Sequence, residues 1–305
     1  MRRKYREKAY KCGEYLEVDV YPVFEARGGK RTRRAKYKPT SAMQARLNQK
    51  HAERELVRIL NYNFTEKDIS VTLTFRNGCL PDTYEEAERL ARNFLRRLKR
   101  LRAKMGLPEM KYVLIPGGGR YHFHIPMSGG VDEVTIAKLW GLGYCNVIHF
   151  QFNENGIEGH ARYVAKQYEE DEYGGGDLFS GYDVDFDTGV VEELSSSSTA
   201  AGGPPSPILG KAKRPKGKRR YSCSKNIVRP EPECRDGRIS ATRAEELATV
   251  ESGSRFVFEK LYPGYVFSEC RAMYNEENGG YYLEVRMYKE DASFLYSRKR
   301  FRSRR

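Results

Sequence analysis

Short runs of alternating residues and longer runs with helical spacing follow one another through the middle of the chain. Alternation between β-forming and polar residues predicts strands, because side chains along a strand point to its two faces in turn. Apolar residues that recur every three or four positions predict a helix with one buried face. The predicted strands are 68–75, 111–116, 120–127 and 146–152, and the predicted helices are 81–104, 132–143 and 156–170.

Two of the predicted helices have clear start signals. Thr83 and Glu86 form a capping box at the start of 81–104, and Asp132 is the predicted N-cap of 132–143. The elements then run strand, helix, strand, strand, helix, strand, followed by a third helix. This is the order of a ferredoxin-like split βαβ fold. We therefore predict an α+β domain with a four- to five-stranded antiparallel sheet, whose helices cover one face and leave the other face open.

The flanking regions differ in composition from this middle part, which predicts four segments. Residues 1–64 form a basic N-terminal arm and an amphipathic helix (41–64), and residues 65–170 form the α+β domain. Residues 171–218 are acidic and Gly-rich, then low in complexity, then basic, as in a flexible linker. Residues 219–305 form a small C-terminal region with a basic tail. Strand-like stretches outside the domain are 14–24 and 281–289.

The charge balance favours a polyanionic partner. The chain has 55 Lys and Arg against 41 Asp and Glu, a formal net charge of +14 at pH 7. Nucleic acid is the first candidate and an anionic membrane the second. We expect no membrane segment, because the sequence has no apolar run of about 18 residues and no signal-peptide pattern. The six cysteines include no CxxC pair, which disfavours a zinc ribbon and fits reduced cytoplasmic thiols.

Two of the five histidines stand two residues apart on a predicted strand. His122 and His124 share one face of that strand, while Tyr121, Phe123 and Ile125 point into the core. Two imidazoles this close on one face can bind a single divalent cation through their ring nitrogens. The alternative is an ordinary strand with two solvated histidines.

A second pair of reactive side chains follows about forty residues later. Tyr163 and Lys166 are three residues apart on a predicted helix and therefore lie on one helix face. A tyrosine hydroxyl can attack phosphorus and form a phosphotyrosyl intermediate, and a lysine can hold the same phosphate. The YxxK pattern by itself is common by chance in a chain with 22 tyrosines.

Taken together, HFH (122–124), YVAK (163–166) and VTLTF (71–75) resemble the motifs of the HUH endonucleases. Within that superfamily the chain is most similar to rolling-circle replication initiators of phages and plasmids. The stretch 36–64 and the stretch 219–230 are similar to the phage-type initiators as well. The resemblance covers residues 35–170 well and the C-terminal region loosely.

The resemblance implies metal-dependent, site-specific nicking and joining of single-stranded DNA. In this chain His122 and His124 would bind Mg²⁺ or Mn²⁺, and Tyr163 would form a 5′-phosphotyrosyl link with help from Lys166. Origin DNA would be the substrate. A host polymerase and a host helicase would be partners, since the sequence has no P-loop. The cytoplasm of a bacterial host would be the location.

Two features depart from the family pattern. The strand before HFH carries no carboxylate in register for a third metal ligand, and Glu109 lies just outside it. His149 is expected to be structural. His160, one turn before Tyr163, is either a third ligand that faces the metal or, as we expect, a solvated helix residue, so the third ligand stays open. Only one tyrosine stands at the nicking position, because Tyr168 is five residues further on and lies on a different helix face.

Basic segments supply the candidate DNA contacts. Lysine and arginine runs can follow phosphates, and aromatic residues among them can stack on bases. Trp140, by contrast, is expected to be a packing residue. The candidate DNA-binding residues are Arg31, Arg33, Arg34, Lys36, Arg120, Lys218, Arg219 and Arg220.

Three other functions fit the sequence less well. One stays within HUH chemistry: a relaxase, or a single-strand transposase. Another is a non-catalytic nucleic-acid-binding protein in which HFH and YVAK are coincidental, and the third is an unrelated metal-dependent hydrolase. Only the HUH hypothesis requires Tyr163 to form a covalent DNA adduct.

Overall fold

The computed structural model is a mixed α+β structure with two antiparallel five-stranded sheets. It describes residues 4–23, 42–117, 120–157, 182–184, 191–193, 220–249, 251–275 and 279–295. The chain divides into two compact units. The first unit comprises residues 1–63, 151–159 and 228–305, and the second comprises residues 64–150 and 160–227.

The elements of the predicted α+β domain appear in the predicted order. A short 3₁₀ turn, Asn77–Cys79, precedes the long helix. Strands and helices in chain order are β1 (Lys4–Cys12), β2 (Tyr15–Val23), α1 (Ala42–Asn63), β3 (Ile69–Thr74), α2 (Tyr84–Lys104), β4 (Val113–Pro116), β5 (His122–Met127), α3 (Glu133–Trp140), β6 (Cys145–His149), β7 (Tyr182–Val184), β8 (Val191–Glu193), β9 (Ser222–Cys223), β10 (Glu233–Asp236), α4 (Ala241–Thr249), α5 (Glu251–Leu261), β11 (Tyr265–Asn275) and β12 (Gly280–Lys289).

The second unit is built on one antiparallel sheet with the strand order β6-β3-β5-β4-β9. Strands β3 and β5 pair along their full length at its centre, so β5 is hydrogen-bonded on both sides. One face of the sheet packs against α2 and α3. The residues of this core come from both layers and include Val71, Leu73, Phe94, Leu98, Phe123, Ile125, Ile136 and Trp140.

Local signals explain where the two helices of this unit begin and end. The Thr83 side chain accepts a hydrogen bond from the backbone N–H of Glu86, and that of Asp132 accepts one from Thr135. Gly141 ends α3 in the left-handed conformation, with φ of 65°. Trp140 is a packing residue, as expected: its ring lies edge-on to Phe75, and its indole N–H donates to the carbonyl of Thr74 at 2.7 Å. The predicted helix 156–170 lies outside the described residues, apart from its first two positions.

The first unit brings together the two ends of the described chain. Its sheet has the order β10-β1-β2-β12-β11, and all of its neighbouring strands are antiparallel. This differs from the predicted division, in which residues 1–64 are a basic arm with a helix and residues 219–305 are a separate small region. The predicted strands 14–24 and 281–289 are confirmed as β2 and β12, and they pair with each other. β9, at residues 222–223, instead joins the sheet of the second unit.

Buried charge ties α1 to the sheet of the first unit. Glu17 on β2 is 3% exposed, and its carboxylate accepts hydrogen bonds from Arg54 and from Arg58, the latter at 2.8 and 3.0 Å. Both arginines also pair with Asp19. Burial raises the pKa of Glu17, but the charges of Arg58 and Arg54 outweigh it and lower that pKa below its usual value. Because these charged side chains are shielded from water, removing one of them would leave its partner as an uncompensated buried charge.

None of the helices in the described residues combines the length and the apolar character needed to cross a membrane.

Removing one cation from this network should destabilise the first unit. In Arg58→Met, Glu17 loses half of its compensating charge in a buried setting, so we expect a loss of about 3 kcal/mol in the free energy of unfolding. The matched control is Arg243→Met, which removes an exposed arginine paired with Glu246 at 2.6 Å and should cost less than about 1 kcal/mol. Urea unfolding followed by far-ultraviolet circular dichroism measures both. Equal midpoints for the two variants would show that the network does not stabilise the fold.

Candidate functional site

The predicted histidine pair lies on β5, the strand that is paired on both sides at the centre of the second sheet. Phe123 and Ile125 point into the core, as expected from the alternation. His122 and His124 lie on the opposite face. Their rings are close together, with centroids 5.0 Å apart and ring planes at 90°. The structure therefore brings the two imidazoles together, as the sequence predicts.

Each imidazole is oriented by a hydrogen bond at Nδ1. Nδ1 of His122 lies 2.8 Å from the carbonyl oxygen of Arg120, and Nδ1 of His124 lies 3.1 Å from Oγ1 of Thr72. A carbonyl oxygen can only accept, so Nδ1 of His122 must carry the proton. In the neutral ring, Nε2 of His122 then carries the lone pair that a metal needs. Metal-binding histidines typically have this arrangement, in which the ring nitrogen that does not bind the metal donates its N–H to a carbonyl.

A glycine allows the His122 ring to occupy its position. A Cβ atom at Gly117 would lie 2.0 Å from Nε2 of His122 and 2.3 Å from Cε1, so any side chain there would overlap the ring. The backbone N–H of Gly117 also donates to the carbonyl of His122 at 2.9 Å. The backbone at the end of β4 thus packs directly against the imidazole, and only glycine leaves the space for it.

Other polar residues line the same face beside the histidines. Thr72 and Thr74 on β3 stand opposite His124 and His122, and Asn146 on β6 stands opposite Thr72. The hydroxyl of Thr74 donates to the carbonyl of Tyr144 at 3.0 Å. These residues were not among the predicted site residues, although alternation in 71–75 places Thr72 and Thr74 on one face.

The face that carries the histidines is not open at their positions. His122 is 8% exposed and His124 is 1% exposed, in contrast to the open face expected from the fold prediction. The contact between Gly117 and the His122 ring is one cause. Both side chains are therefore held in a shielded environment, where an unsatisfied polar group would be costly.

A third metal ligand does not appear among the described residues, which contain no group of three His, Cys, Asp or Glu side chains suited to hold a metal. His149 stands opposite Ile69, on the helix-covered side of the sheet, and so does not share the face of His122. Glu109 pairs with Lys99 of α2 at 2.6 Å. The pair fits a divalent cation as two ligands with oriented rings, and further ligands would have to come from outside the described residues or from substrate and water.

Arg120, a predicted DNA contact, has a structural position at this site. Its guanidinium donates to the carbonyl of Phe75 at 2.6 Å and to Oδ1 of Asn77 at 2.9 Å, which ties the start of β5 to the end of β3. Its own carbonyl accepts from His122. Arg120 therefore positions the histidine. Arg220 lies next to β9, and its side chain is partly exposed.

The remaining predicted site residues lie outside the described residues. This applies to the predicted nucleophile Tyr163, to Lys166 and to His160, the alternative third ligand. It also applies to six predicted DNA contacts: Arg31, Arg33, Arg34, Lys36, Lys218 and Arg219.

The tyrosine that precedes the histidines is not a substitute nucleophile. Tyr121 packs against the core on the helix-covered side of the sheet. Burial, together with the nearby charge of Glu85, raises the pKa of Tyr121. A higher pKa makes the phenolate, which is the attacking form, less accessible.

Comparisons of the chain with protein-family models, with curated proteins and with solved structures returned no match.

A side chain at Gly117 should disturb the histidine directly. In Gly117→Ala the new methyl group overlaps the His122 ring, and we expect the second unit to lose about 1–3 kcal/mol of stability. Gly78→Ala is the matched control, because a Cβ atom there meets nothing within 4 Å. Urea unfolding followed by the fluorescence of Trp140, the one tryptophan of the chain, reports the second unit. A Gly117→Ala midpoint equal to that of Gly78→Ala would contradict the packing described here.

Proposed function

We propose that the protein is a rolling-circle replication initiator of the HUH type, which nicks and rejoins single-stranded DNA through a phosphotyrosyl intermediate. The observation that carries the proposal is the histidine pair on β5, with both rings oriented at Nδ1 and their centroids 5.0 Å apart. A net charge of +14 is consistent with a nucleic-acid substrate.

We also propose that the second unit has the ferredoxin-like split βαβ fold of that superfamily. Its elements run β3-α2-β4-β5-α3-β6 along the chain. Within the sheet, these four strands lie in the order β6-β3-β5-β4, and each neighbouring pair is antiparallel. This is the arrangement in which the two βαβ halves interleave. The central strand of such a sheet is the place where a pair of ligands is held most rigidly, since both of its edges are hydrogen-bonded.

In the proposed reaction His122 and His124 would hold a divalent cation, Mg²⁺ or Mn²⁺, through their Nε2 atoms. When bound, such a cation supplies Lewis-acid polarisation of the scissile phosphate. The carbonyl of Arg120 keeps Nδ1 of His122 protonated, and the hydroxyl of Thr72 orients His124. These contacts keep the rings in place while the phosphate binds.

Tyr163 is the proposed nucleophile. Its hydroxyl oxygen bonds to the phosphorus, the bond to the 3′ oxygen breaks, and the tyrosine proton passes to solvent while the 3′ oxygen gains a proton. The product is a 5′-phosphotyrosyl link and a free 3′-OH. Lys166 would hold a non-bridging oxygen of the same phosphate as a point charge. Attack of a 3′-OH on the link reverses the step and joins the strand, so no nucleotide cofactor is needed.

Burial of the pair favours a second candidate function. His122 and His124 are 8% and 1% exposed, and a third ligand is not found among the described residues. A non-catalytic nucleic-acid-binding protein, in which the two histidines are satisfied core residues, accounts for both facts. The two functions differ in whether the protein forms a covalent bond with DNA.

The proposal is tested by looking for the covalent adduct. The full chain is incubated with labelled single-stranded DNA that contains a candidate origin, with Mg²⁺ or Mn²⁺, and resolved on denaturing gels. We expect a metal-dependent adduct that is lost in Tyr163→Phe and retained in the matched variant Tyr168→Phe. His122→Ala should lower adduct formation by roughly 100-fold or more, as expected when a stabilising group is removed from a polar site.

His149→Ala is the control for a histidine on the other side of the sheet, and it should form adduct at the rate of the unchanged protein. Binding of DNA without an adduct, across several candidate origins and with both cations, would support the second candidate and overturn the nicking proposal.

A further inference from the structure

The outer face of α2 is strongly and uniformly basic. From Arg89 to the end of the helix at Lys104 the sequence contains no acidic residue and eight cationic ones, of which only Arg102 is buried. The apolar side of the helix packs on the sheet of the second unit. We define the basic face of α2 as its exposed cations, which are Arg89, Arg92, Arg96, Arg97, Lys99, Arg100 and Lys104.

Several of these cations have no acidic neighbour. Carboxylates pair with Arg89, Arg92 and Lys99, through Glu86, Glu88 and Glu109 respectively. Arg96 instead bonds to the amide oxygen of Asn93. In the part of the chain that the structure describes, no carboxylate lies within ion-pair distance of four of the cations, Arg96, Arg97, Arg100 and Lys104.

A row of like charges is unfavourable for an isolated helix. Arg92, Arg96, Arg100 and Lys104 follow one another at intervals of four residues, and equal charges at that spacing repel. The row extends for about 18 Å along the helix axis. The position of the cations near the carboxyl end of α2 offsets part of this repulsion. It does not offset a face of seven cations, which a bound polyanion would neutralise.

An aromatic groove adjoins one end of this row. It has a volume of about 370 Å³, which is within the range of small-ligand sites. Arg92 belongs both to the row and to the groove, and it donates to the hydroxyl of Ser222 at 3.2 Å. The other lining residues are Tyr84 and Glu88 on α2, Leu114 and Pro116 on β4, and Tyr221 beside β9, and Glu88 is the carboxylate that pairs with Arg92.

We propose that the basic face of α2 and this groove together bind a single strand of nucleic acid. Successive phosphates lie along the row from Lys104 to Arg92, and one base enters the groove and contacts Tyr221. Cations that follow the backbone, combined with aromatic side chains that accept a base, are the two parts of single-strand binding sites. Duplex DNA satisfies only the first part, because its bases are stacked inside the helix.

An anionic membrane fits this face less well. Helices that lie on membranes insert an apolar side between the headgroups, and the apolar side of α2 is used in the core of the second unit. Nucleic acid needs only the charges and the aromatic groove.

The groove includes residues of β4, the strand next to the one that carries the histidine pair. Pro116 lines the groove, and the next residue, Gly117, packs against the ring of His122 on the opposite face. The inference rests on the proposed nucleic-acid partner, but it does not depend on nicking.

The phosphate part is tested by the salt dependence of binding. Anisotropy of a labelled 20-nucleotide DNA strand is measured without metal for the full chain and for a triple variant, Arg96→Gln with Arg100→Gln and Lys104→Gln. The matched control removes three exposed cations of the first unit, Arg243→Gln with Arg255→Gln and Lys260→Gln. If three phosphate contacts are lost, the slope of log K against log salt should fall in magnitude by about 2.

The first triple variant should also bind at least about tenfold more weakly at 0.1 M salt, while the control triple should stay close to the unchanged protein. Equal affinities and slopes for the two triples would overturn the proposal. Because the anisotropy is measured without metal, normal binding by a protein that forms no adduct would separate this surface from the nicking site.

The groove is tested by Tyr221→Leu. Loss of stacking should weaken binding by roughly fivefold or more without changing the salt slope. On a 20-nucleotide strand made of abasic units, Tyr221→Leu and the unchanged protein should bind equally, which also shows that the variant is folded. An equal loss on both strands, or no loss on either, would exclude a base in the groove.

Discussion

The register between β3 and β5 is the constraint on which the rest of the second unit depends. Thr72 on β3 stands opposite His124 on β5. Side chains alternate along β5, so Phe123 and Ile125 on either side of His124 enter the core. A shift of one residue would exchange the two faces and bury the imidazoles among the apolar side chains of α2 and α3. The apolar core therefore fixes which face carries the histidines. The hydrogen bond from Nδ1 of His122 to the Arg120 carbonyl, and the bond between Nδ1 of His124 and the Thr72 hydroxyl, then fix how the rings are turned.

Much of the second unit could be predicted, because its signals are local. The alternation of β3 and β5, the N-caps Thr83 and Asp132 and the glycine after α3 each act within a few residues. The pairing of the two imidazoles followed from the same alternation. The packing of Gly117 on His122 could not be predicted, because it depends on how two strand ends approach each other. Burial of the pair was likewise a tertiary effect.

The joining of the two chain ends into one sheet in the first unit was not predicted, for two physical reasons. Its sheet joins residues separated by more than 220 positions, such as Arg6 and Asp236, and no local pattern reports such a pairing. In addition, β1 breaks the simple alternation, since Glu7 stands on its core-facing side between Tyr5 and Ala9. That carboxylate is compensated by Arg238 at 3.1 Å and by the hydroxyl of Tyr262. Because one inward position of β1 is a charged residue, the sequence of β1 looks like part of a basic tail and not like a strand.

The two units use charge in opposite ways. In the first unit, acidic and basic side chains are buried together, as in the contacts of Glu17 with Arg54 and Arg58. In the second, seven of the eight cations of α2 from Arg89 onward are exposed, and four of them lack a carboxylate partner among the described residues. The charge of these seven cations is thus found where a polyanion can reach it. The histidine pair lies on the other face of the same sheet, within a polar layer that includes Thr72 and Asn146.

We propose that His122 and His124 form one oriented pair whose Nε2 atoms bind a common divalent cation. A long-range proton–nitrogen correlation spectrum of the histidine rings tests this proposal most directly. We expect that Nδ1 of His122 is protonated and Nε2 is not, and that Mn²⁺ broadens the ring signals of His122 and His124 together while those of His149 persist. A protonated Nε2 on His122, or equal broadening of all histidines, would contradict it.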